Sequence, residues 1–469
     1  MVYSHDVIVI GAGAAGLTAA GGCALFGLKV ALIERGSMGG ECLNNGCVPS
    51  KALIAAARRA AGSGAGLGID VPPATVDWAG VHAHIHGAIA AIAPHDSQER
   101  FEGMGCEVLR GDARLVDAHT VEASGRRLTA PRIVLAAGSE PAVPPIPGLA
   151  EVPYLTNENL FELGELPAHL IVIGGGVVGM EMGQAFRHLG SAVTIIEPGD
   201  LLARDDRESV AVVEQVMRGE GVVFLQDKAV SVAGEAGAIT VTLAGGASVT
   251  GTHLLVATGR KARVAGYGLE AIGVALGQNG IAVDPRRRTS QKHIYAIGDC
   301  REGPRLTHAA GYEGSNVVLE ICTGLPTKVD WRALPWCTYT SPEVAQIGLT
   351  EAEARAQFGD AVSVEREGFD HIDRAVAEGE TVGHMKLVLK GKKVIGASIV
   401  GHNAGELLLP LWQAITGKTG TFALGGAVIA YPTRSDVTKA LAFKAWEPTV
   451  FGRWPNKWVA LVAGLRRRF

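Results

Sequence analysis

Two cysteines, Cys42 and Cys47, are separated by four residues in Gly39-Gly40-Glu41-Cys42-Leu43-Asn44-Asn45-Gly46-Cys47-Val48-Pro49-Ser50-Lys51. Three chemistries use such a pair. A zinc site would need two more well-spaced ligands, and no second pair has such spacing. A structural disulfide belongs to oxidising compartments, and the chain's seven cysteines are an odd number. A redox-active disulfide fits best. Ala52–Arg58 is strongly helical and Pro49 suits the opening of a helix. The thiols would then lie near a positive helix terminus, which favours the thiolate.

A redox pair needs an electron source, and the surrounding elements supply one. His5–Ile10 reads as a buried strand, Gly11-Ala12-Gly13-Ala14-Ala15-Gly16 follows, and a helical stretch runs to about Leu28. A second strand, Lys29–Ile33, ends at Glu34. This is the dinucleotide fingerprint. Gly11 makes the tight turn, Gly13 lets the backbone approach a pyrophosphate, and Gly16 lets helix and strand pack. Glu34 is placed to bond a ribose hydroxyl. The motif recurs after Leu170–Ile173 as Gly174-Gly175-Gly176-Val177-Val178-Gly179, with a helix to about Leu189 and a strand, Ala192–Ile196, ending at Glu197. The two lie 163 residues apart. Each is followed by a strand leading into a glycine, Gly138 and Gly259. Two intact units suggest two nucleotides, one a bound flavin and the other a diffusible nicotinamide. Glu197 favours the free ribose of NADH, whereas Arg204 and Arg207 could hold the extra phosphate of NADPH.

Composition narrows the class further. The 469 residues are 47% hydrophobic and 19% charged, which excludes a disordered chain. The length predicts about three domains. The net charge of −4 argues against a nucleic-acid-binding face. Glycine is 63 of 469 residues, nearly twice the usual share of roughly 7%. No run of 18 apolar residues predicts a membrane span. Val7–Leu32 is apolar, but it lacks a basic leader, follows Asp6 and is rich in glycine, so no signal peptide is expected and the protein reads as cytoplasmic.

With these motifs together, the chain resembles the FAD-dependent pyridine nucleotide–disulfide oxidoreductases, a group that includes dihydrolipoamide dehydrogenase, glutathione reductase and mercuric reductase. The resemblance covers essentially the whole chain and is most specific in the Gly-Gly-x-Cys-(four residues)-Cys-x-Pro-Ser-Lys element, which includes Gly40. It implies that Cys47 lies nearer the flavin and forms the charge-transfer thiolate, and that Cys42 is the interchange thiol. It implies that Lys51 sits beside flavin N5 with Glu181 as its partner. Tyr295-Ala296-Ile297-Gly298-Asp299 matches the family's second flavin motif, in which Asp299 bonds the ribitol chain. Thr258-Gly259-Arg260 matches the hinge leaving the nicotinamide domain. The implied fold is α/β, with two Rossmann-like domains and a C-terminal α+β dimerisation domain. The FAD domain is expected at 1–148 and 266–330, the NAD(P)H domain at 149–265, and the dimerisation domain of a homodimer at 331–469.

The pattern breaks in the last third. The family's His-Pro-Thr-x-x-Glu element, whose histidine reaches the partner subunit's disulfide as acid and base, reads here Tyr431-Pro432-Thr433-Arg434-Ser435-Asp436. Phenol titrates near pH 10 and imidazole near pH 6.5, so Tyr431 is a poor base at neutral pH. Slow turnover of dithiols is therefore expected. Mercuric reductases resemble this chain in having a tyrosine there, and soft metal ions bound by thiolates depend less on a proton shuttle. They also carry adjacent cysteines near the C-terminus, whereas the last cysteine here is Cys337. The acceptor is thus expected to be a disulfide, a thiol-bound metal or another small molecule. Two alternatives are a quinone or transhydrogenase-type flavoenzyme with a vestigial disulfide, and a non-catalytic redox sensor or peripheral membrane flavoprotein.

Other features read as structural. His82 and His86 share a helix face, as metal ligands can, but a solvated or dimer-facing helix is favoured and no metal is assigned. Cys23 and Cys106 read as buried small residues. Arg286-Arg287-Arg288 reads as a solvated run on a turn. Trp454, Trp458, Val459, Leu461, Val462 and Leu465 precede Arg466-Arg467-Arg468. A tail docked on the dimer is favoured there over weak contact with an anionic membrane surface.

Overall fold

The computed structural model describes residues 2–62 and 67–467. Val7–Ile10 is a strand whose four residues are all buried. Each fully buried Val or Ile contributes about 1.5–3 kcal/mol relative to exposure. The strand sits centrally in a parallel sheet ordered Ile294–Ala296, Arg132–Leu135, Val7–Ile10, Val30–Glu34, Cys106–Arg110. A parallel strand buried on both faces reads as an unbroken apolar run rather than an alternating one. The intervening helix, Ala14–Leu25, packs against the Thr307–Thr323 helix. It stops three residues short of the expected Leu28, because Gly27 takes a left-handed conformation at φ +84°.

The second fingerprint builds a four-stranded parallel sheet ordered Val223–Leu225, Ala192–Ile196, His169–Ile173, His253–Val256. Its helix, Val177–His188, packs on the Cys47–Ala61 helix. Both sheets fall in one compact unit made of Met1–Ser63, Val71–Gly199 and Val223–Val329.

The other unit consists mainly of Asp200–Val222 and Asp330–Phe469. Its core is an antiparallel sheet ordered Pro335–Thr338, Glu343–Gly348, Lys393–Gly401, His384–Lys390, Val362–Gly368. The Arg207–Gly219 helix, although it falls in the expected nucleotide interval 149–265, packs on this sheet. The reason is electrostatic as well as apolar. Lys386 is buried in the sheet, and its ammonium pairs with Asp206 at 2.9 Å and Glu351 at 2.8 Å. A buried cation must keep such partners.

The arginine run differs from the solvated reading. Arg286 pairs with Glu320 at 2.7 Å, Arg287 with Glu313 at 3.0 Å and Arg288 with Asp284 at 2.8 Å. Arg287 and Glu313 are buried, and Arg301 joins them at 2.7 Å from Glu313. The tail is a helix, Arg453–Arg466, none of whose residues is buried within the chain. Arg468 and Phe469 lie outside the described residues. Among the described residues no helix is long and apolar enough to cross a membrane.

Candidate active site

The two glycine loops are built alike. A Cβ on Gly11 would overlap the Ala136 carbonyl, and one on Gly174 would overlap that of Ala257. A Cβ on Gly16 or Gly179 would overlap the carbonyl of the first glycine of its own loop. Glu34 accepts the Ala12 and Gly36 N–H groups, both at 2.6 Å. Glu197 accepts those of Gly175 at 2.8 Å and Gly199 at 2.9 Å. Each carboxylate oxygen keeps a further lone pair for a ribose hydroxyl. The helices that follow have Gly13 and Gly176 at their N-caps, with no side-chain cap and no acid in the first turn. Uncapped N–H groups at a positive helix end suit a pyrophosphate, so both loops fit a dinucleotide such as FAD or NAD(P)H.

The cysteine segment is fastened to the first loop. Gly40 has φ +59°, and a Cβ there would lie 2.7 Å from the Gly13 Cα. Only glycine permits that conformation and that approach together. The contact sets the short Gly40–Asn44 helix, which carries Cys42, beside the nucleotide loop. Cys47 is the first residue of the Cys47–Ala61 helix. The two thiols hydrogen-bond to each other. Cys47 Sγ also lies 3.2 Å from the Thr307 hydroxyl. The hydrogen bond from Cys42, helped by Thr307 and the Lys51 ammonium, brings the Cys47 thiol down to about 6. Cys42, as the donor of that bond, is pushed well above the usual thiol range. The arrangement holds one thiolate and one thiol at neutral pH.

Lys51 projects one turn along the same helix and donates to Glu181 at 2.8 Å. Glu181 is only 4% exposed, on the helix after the second glycine loop. The pair therefore joins the two nucleotide halves beside the cysteines. A second polar cluster surrounds Glu41, next to Cys42. Its carboxylate is bound by Arg260 and accepts from Asn157 at 2.8 Å. Burial, opposed by Arg260, raises the Glu41 carboxyl to about 7. Arg260 also donates to the Ser139 hydroxyl at 2.8 Å, and Ser139 donates to Asp299 at 2.7 Å. Gly298, before Asp299, is fixed by its N–H bond to the buried Glu313 at 2.8 Å. Gly138 and Gly259 flank this region with positive φ and open space at the Cβ position.

Sequence reasoning missed Thr307, Glu41, Asn157, Ser139 and Glu313. Only Glu41 carried a local signal, its place beside Cys42. Tyr431 and Asp436 belong to the second unit. They line an open cavity of about 530 Å³ with Asp373, His371, Lys439 and Phe443. Tyr431 is 73% exposed and its hydroxyl donates to Asp373 at 2.7 Å. That bond, with the negative charge of Asp373 and Asp436, holds the phenol above its usual range. His371 in the same cavity is paired with Glu367 at 2.8 Å. Arg207, one of the two candidate phosphate ligands, donates instead to the carbonyls of Leu201, Leu202 and Asp205.

Comparison with known proteins agrees with this geometry. Residues 5–314 match the family model "Pyridine nucleotide-disulphide oxidoreductase", and residues 334–442 match its dimerisation domain. A mercuric reductase of Lysinibacillus sphaericus is 35% identical over 415 residues, covering 86% of this chain and 76% of the relative. A dihydrolipoyl dehydrogenase of Geobacillus stearothermophilus is 34% identical over 451 residues, covering 93% and 95%. Among solved structures, the HOCl-induced flavoprotein disulfide reductase RclA of Escherichia coli superposes with a TM-score of 0.85 at 26% identity, covering 93% of this chain and 99% of that one. The chain belongs to the pyridine nucleotide-disulphide oxidoreductase family, as an FAD-dependent NAD(P)H–disulfide oxidoreductase carrying that family's dimerisation domain.

Proposed function

We propose that this enzyme reduces a soft metal ion presented to its Cys42–Cys47 pair, in preference to exchanging with dithiols such as lipoamide or glutathione. The observation that carries the reading is the Tyr431 hydroxyl, committed as a donor to Asp373. In a homodimer, Tyr431 of one subunit would serve the disulfide of the other. FAD, when bound at the first loop, supplies two-electron transfer between a nicotinamide hydride and a disulfide. Gly11, Gly13, Gly16 and Glu34 hold its adenosine diphosphate portion, Asp299 its ribitol, and Lys51 with Glu181 orients the reacting end. Gly174, Gly176, Gly179 and Glu197 hold the nicotinamide nucleotide. Glu197 and the commitment of Arg207 to backbone carbonyls support NADH over NADPH.

The chemistry of the thiols then separates the acceptors. Cys47 keeps its negative charge near neutral pH, while Cys42 keeps its proton. Attack on a disulfide requires a base to remove that proton, and a phenol held above its usual range is a poor one. A soft cation removes the requirement, because a coordinating thiol is deprotonated by the metal itself. The mercuric reductases among the relatives and an RclA structure described as a Cu(II) complex support the same class.

The test is an anaerobic NADH titration, followed for the long-wavelength thiolate–flavin absorbance, and then an acceptor panel. Thiol complexes of Hg(II) and Cu(II) should exceed lipoamide and glutathione disulfide in kcat/KM by about 100-fold or more, the contribution of a missing acid–base group. Tyr431→His should raise disulfide and dithiol turnover by about tenfold or more. Faster lipoamide turnover than metal reduction in the wild type would overturn the proposal.

A further inference from the structure

Trp78, His82 and His86 lie at i, i+4 and i+8 on the Trp78–Ile92 helix, so all three share one face. That face looks onto the short Leu160–Glu162 turn. The Trp78 indole donates to the Leu163 carbonyl at 2.9 Å, fastening the start of the helix beside Glu162. Leu160 and Phe161 are buried, which fixes the turn that carries Glu162. One helical turn along from Trp78, the Nε2 atoms of His82 and His86 approach to 3.1 Å. Glu162 Oε2 lies 3.7 Å from His86 Nε2, and the donor atoms of all three residues lie within 4.8 Å of one another.

We propose that His82, His86 and Glu162 form a binding site for a zinc-class divalent cation, separate from the cysteine pair. Zinc bound to imidazole at about 2.0–2.1 Å in tetrahedral geometry places its nitrogens roughly 3.3–3.4 Å apart. The observed 3.1 Å needs only a small opening to match. Two imidazoles and one carboxylate make a three-ligand set with a fourth position for water, and imidazole suits zinc, copper and nickel better than magnesium or calcium. The ligands come from the helix and from a turn 76 residues beyond His86 in sequence. Binding would therefore tie these two segments together. The same helix packs on the Cys47–Ala61 helix that carries Cys47 and Lys51, so the tie would brace the scaffold of the redox pair.

The experiment uses the FAD-loaded Cys42→Ser/Cys47→Ser enzyme, so that the redox thiols cannot take the metal. Zn2+ is measured by equilibrium dialysis and Co2+ by its visible absorption. The expected result is one ion per chain, with Co2+ d–d bands and no thiolate-to-metal charge transfer. His82→Gln or His86→Gln should weaken binding by about tenfold or more, and Glu162→Gln by less. Zn2+ should raise the melting temperature of the parent enzyme and not that of the His82→Gln/His86→Gln double variant, whose retained flavin absorbance reports that it is folded. Unchanged binding in that double variant overturns the site. Absence of saturable binding in the parent also overturns it, and leaves a hydrogen bond between two histidines as the whole content of the contact.

Discussion

Residues 11–36 and 174–199 form the same structure twice, down to a strand-end carboxylate that accepts one backbone N–H from its glycine turn and one from two residues beyond itself. They differ in what stands before the turn. The middle glycine of the first, Gly13, faces the backbone of Gly40, and Ala15 behind it is buried. The middle glycine of the second, Gly176, has nothing within 4 Å of its Cβ position, and Val177 and Val178 are 40% and 41% exposed. A covered loop suits a ligand that stays through many turnovers. An open loop suits one that must enter and leave in each. The proposed assignment of FAD to the first and NADH to the second rests on this asymmetry as well as on the family resemblance.

The largest effect should come from closing the covered loop. Gly40→Val forces a branched side chain into left-handed backbone and toward the Gly13 Cα. The purified variant should have lost nearly all bound flavin by absorbance, whereas Gly176→Ala should retain it and change the KM for NADH only slightly. Equal flavin loss in both would break the comparison. The next effect concerns the thiolate beside the covered loop. In the two-electron-reduced enzyme, alkylation by iodoacetamide should rise with pH to a plateau with its midpoint near 6, because the folded Cys47 value lies below the ordinary thiol value. Lys51→Met removes one of its stabilising charges and should move that midpoint upward by about one unit, or 1.4 kcal/mol. A midpoint that stays put would show that Cys42 and Thr307 suffice. The smallest effect belongs to the open loop. Wild-type kcat/KM should favour NADH over NADPH by about tenfold, roughly 1.4 kcal/mol, and Glu197→Ala should reduce the ratio without loss of flavin. A preference for NADPH would reverse the assignment of the open loop's specificity.

The parts of this site readable from sequence are those specified by neighbours along the chain. Glycine spacing, the acid at the end of the next strand and the cysteine spacing are local patterns, and each marks a local backbone event. The Lys51–Glu181 pair came from resemblance, since 130 residues separate its members. Nothing near Cys47 announces Thr307, which arrives from a helix 260 residues away. The arginine run shows the same limit from the other side. Its three charges read as solvent-facing because their acidic partners Glu313 and Glu320 come from another element, while Asp284 lies close by but could not be paired without the turn. The Arg207–Gly219 helix lies inside the interval 149–265 expected for the nicotinamide domain, yet it packs where the buried Lys386 needs Asp206.

The close approach of Gly40 to Gly13 has a consequence for how such proteins are inherited and built. The nucleotide turn and the redox motif stand 27 residues apart and look like separate modules. The Gly13 backbone occupies the side-chain space of Gly40, whose Cβ would lie 2.7 Å from the Gly13 Cα, so position 40 accepts no larger residue while the turn keeps its course. The two motifs therefore behave as one heritable part. A redox disulfide grafted onto another nucleotide-binding fold would need the glycine at position 40 transferred with it, and a lineage that discarded the cysteines would still be held to that glycine for as long as its segment remained packed on the turn.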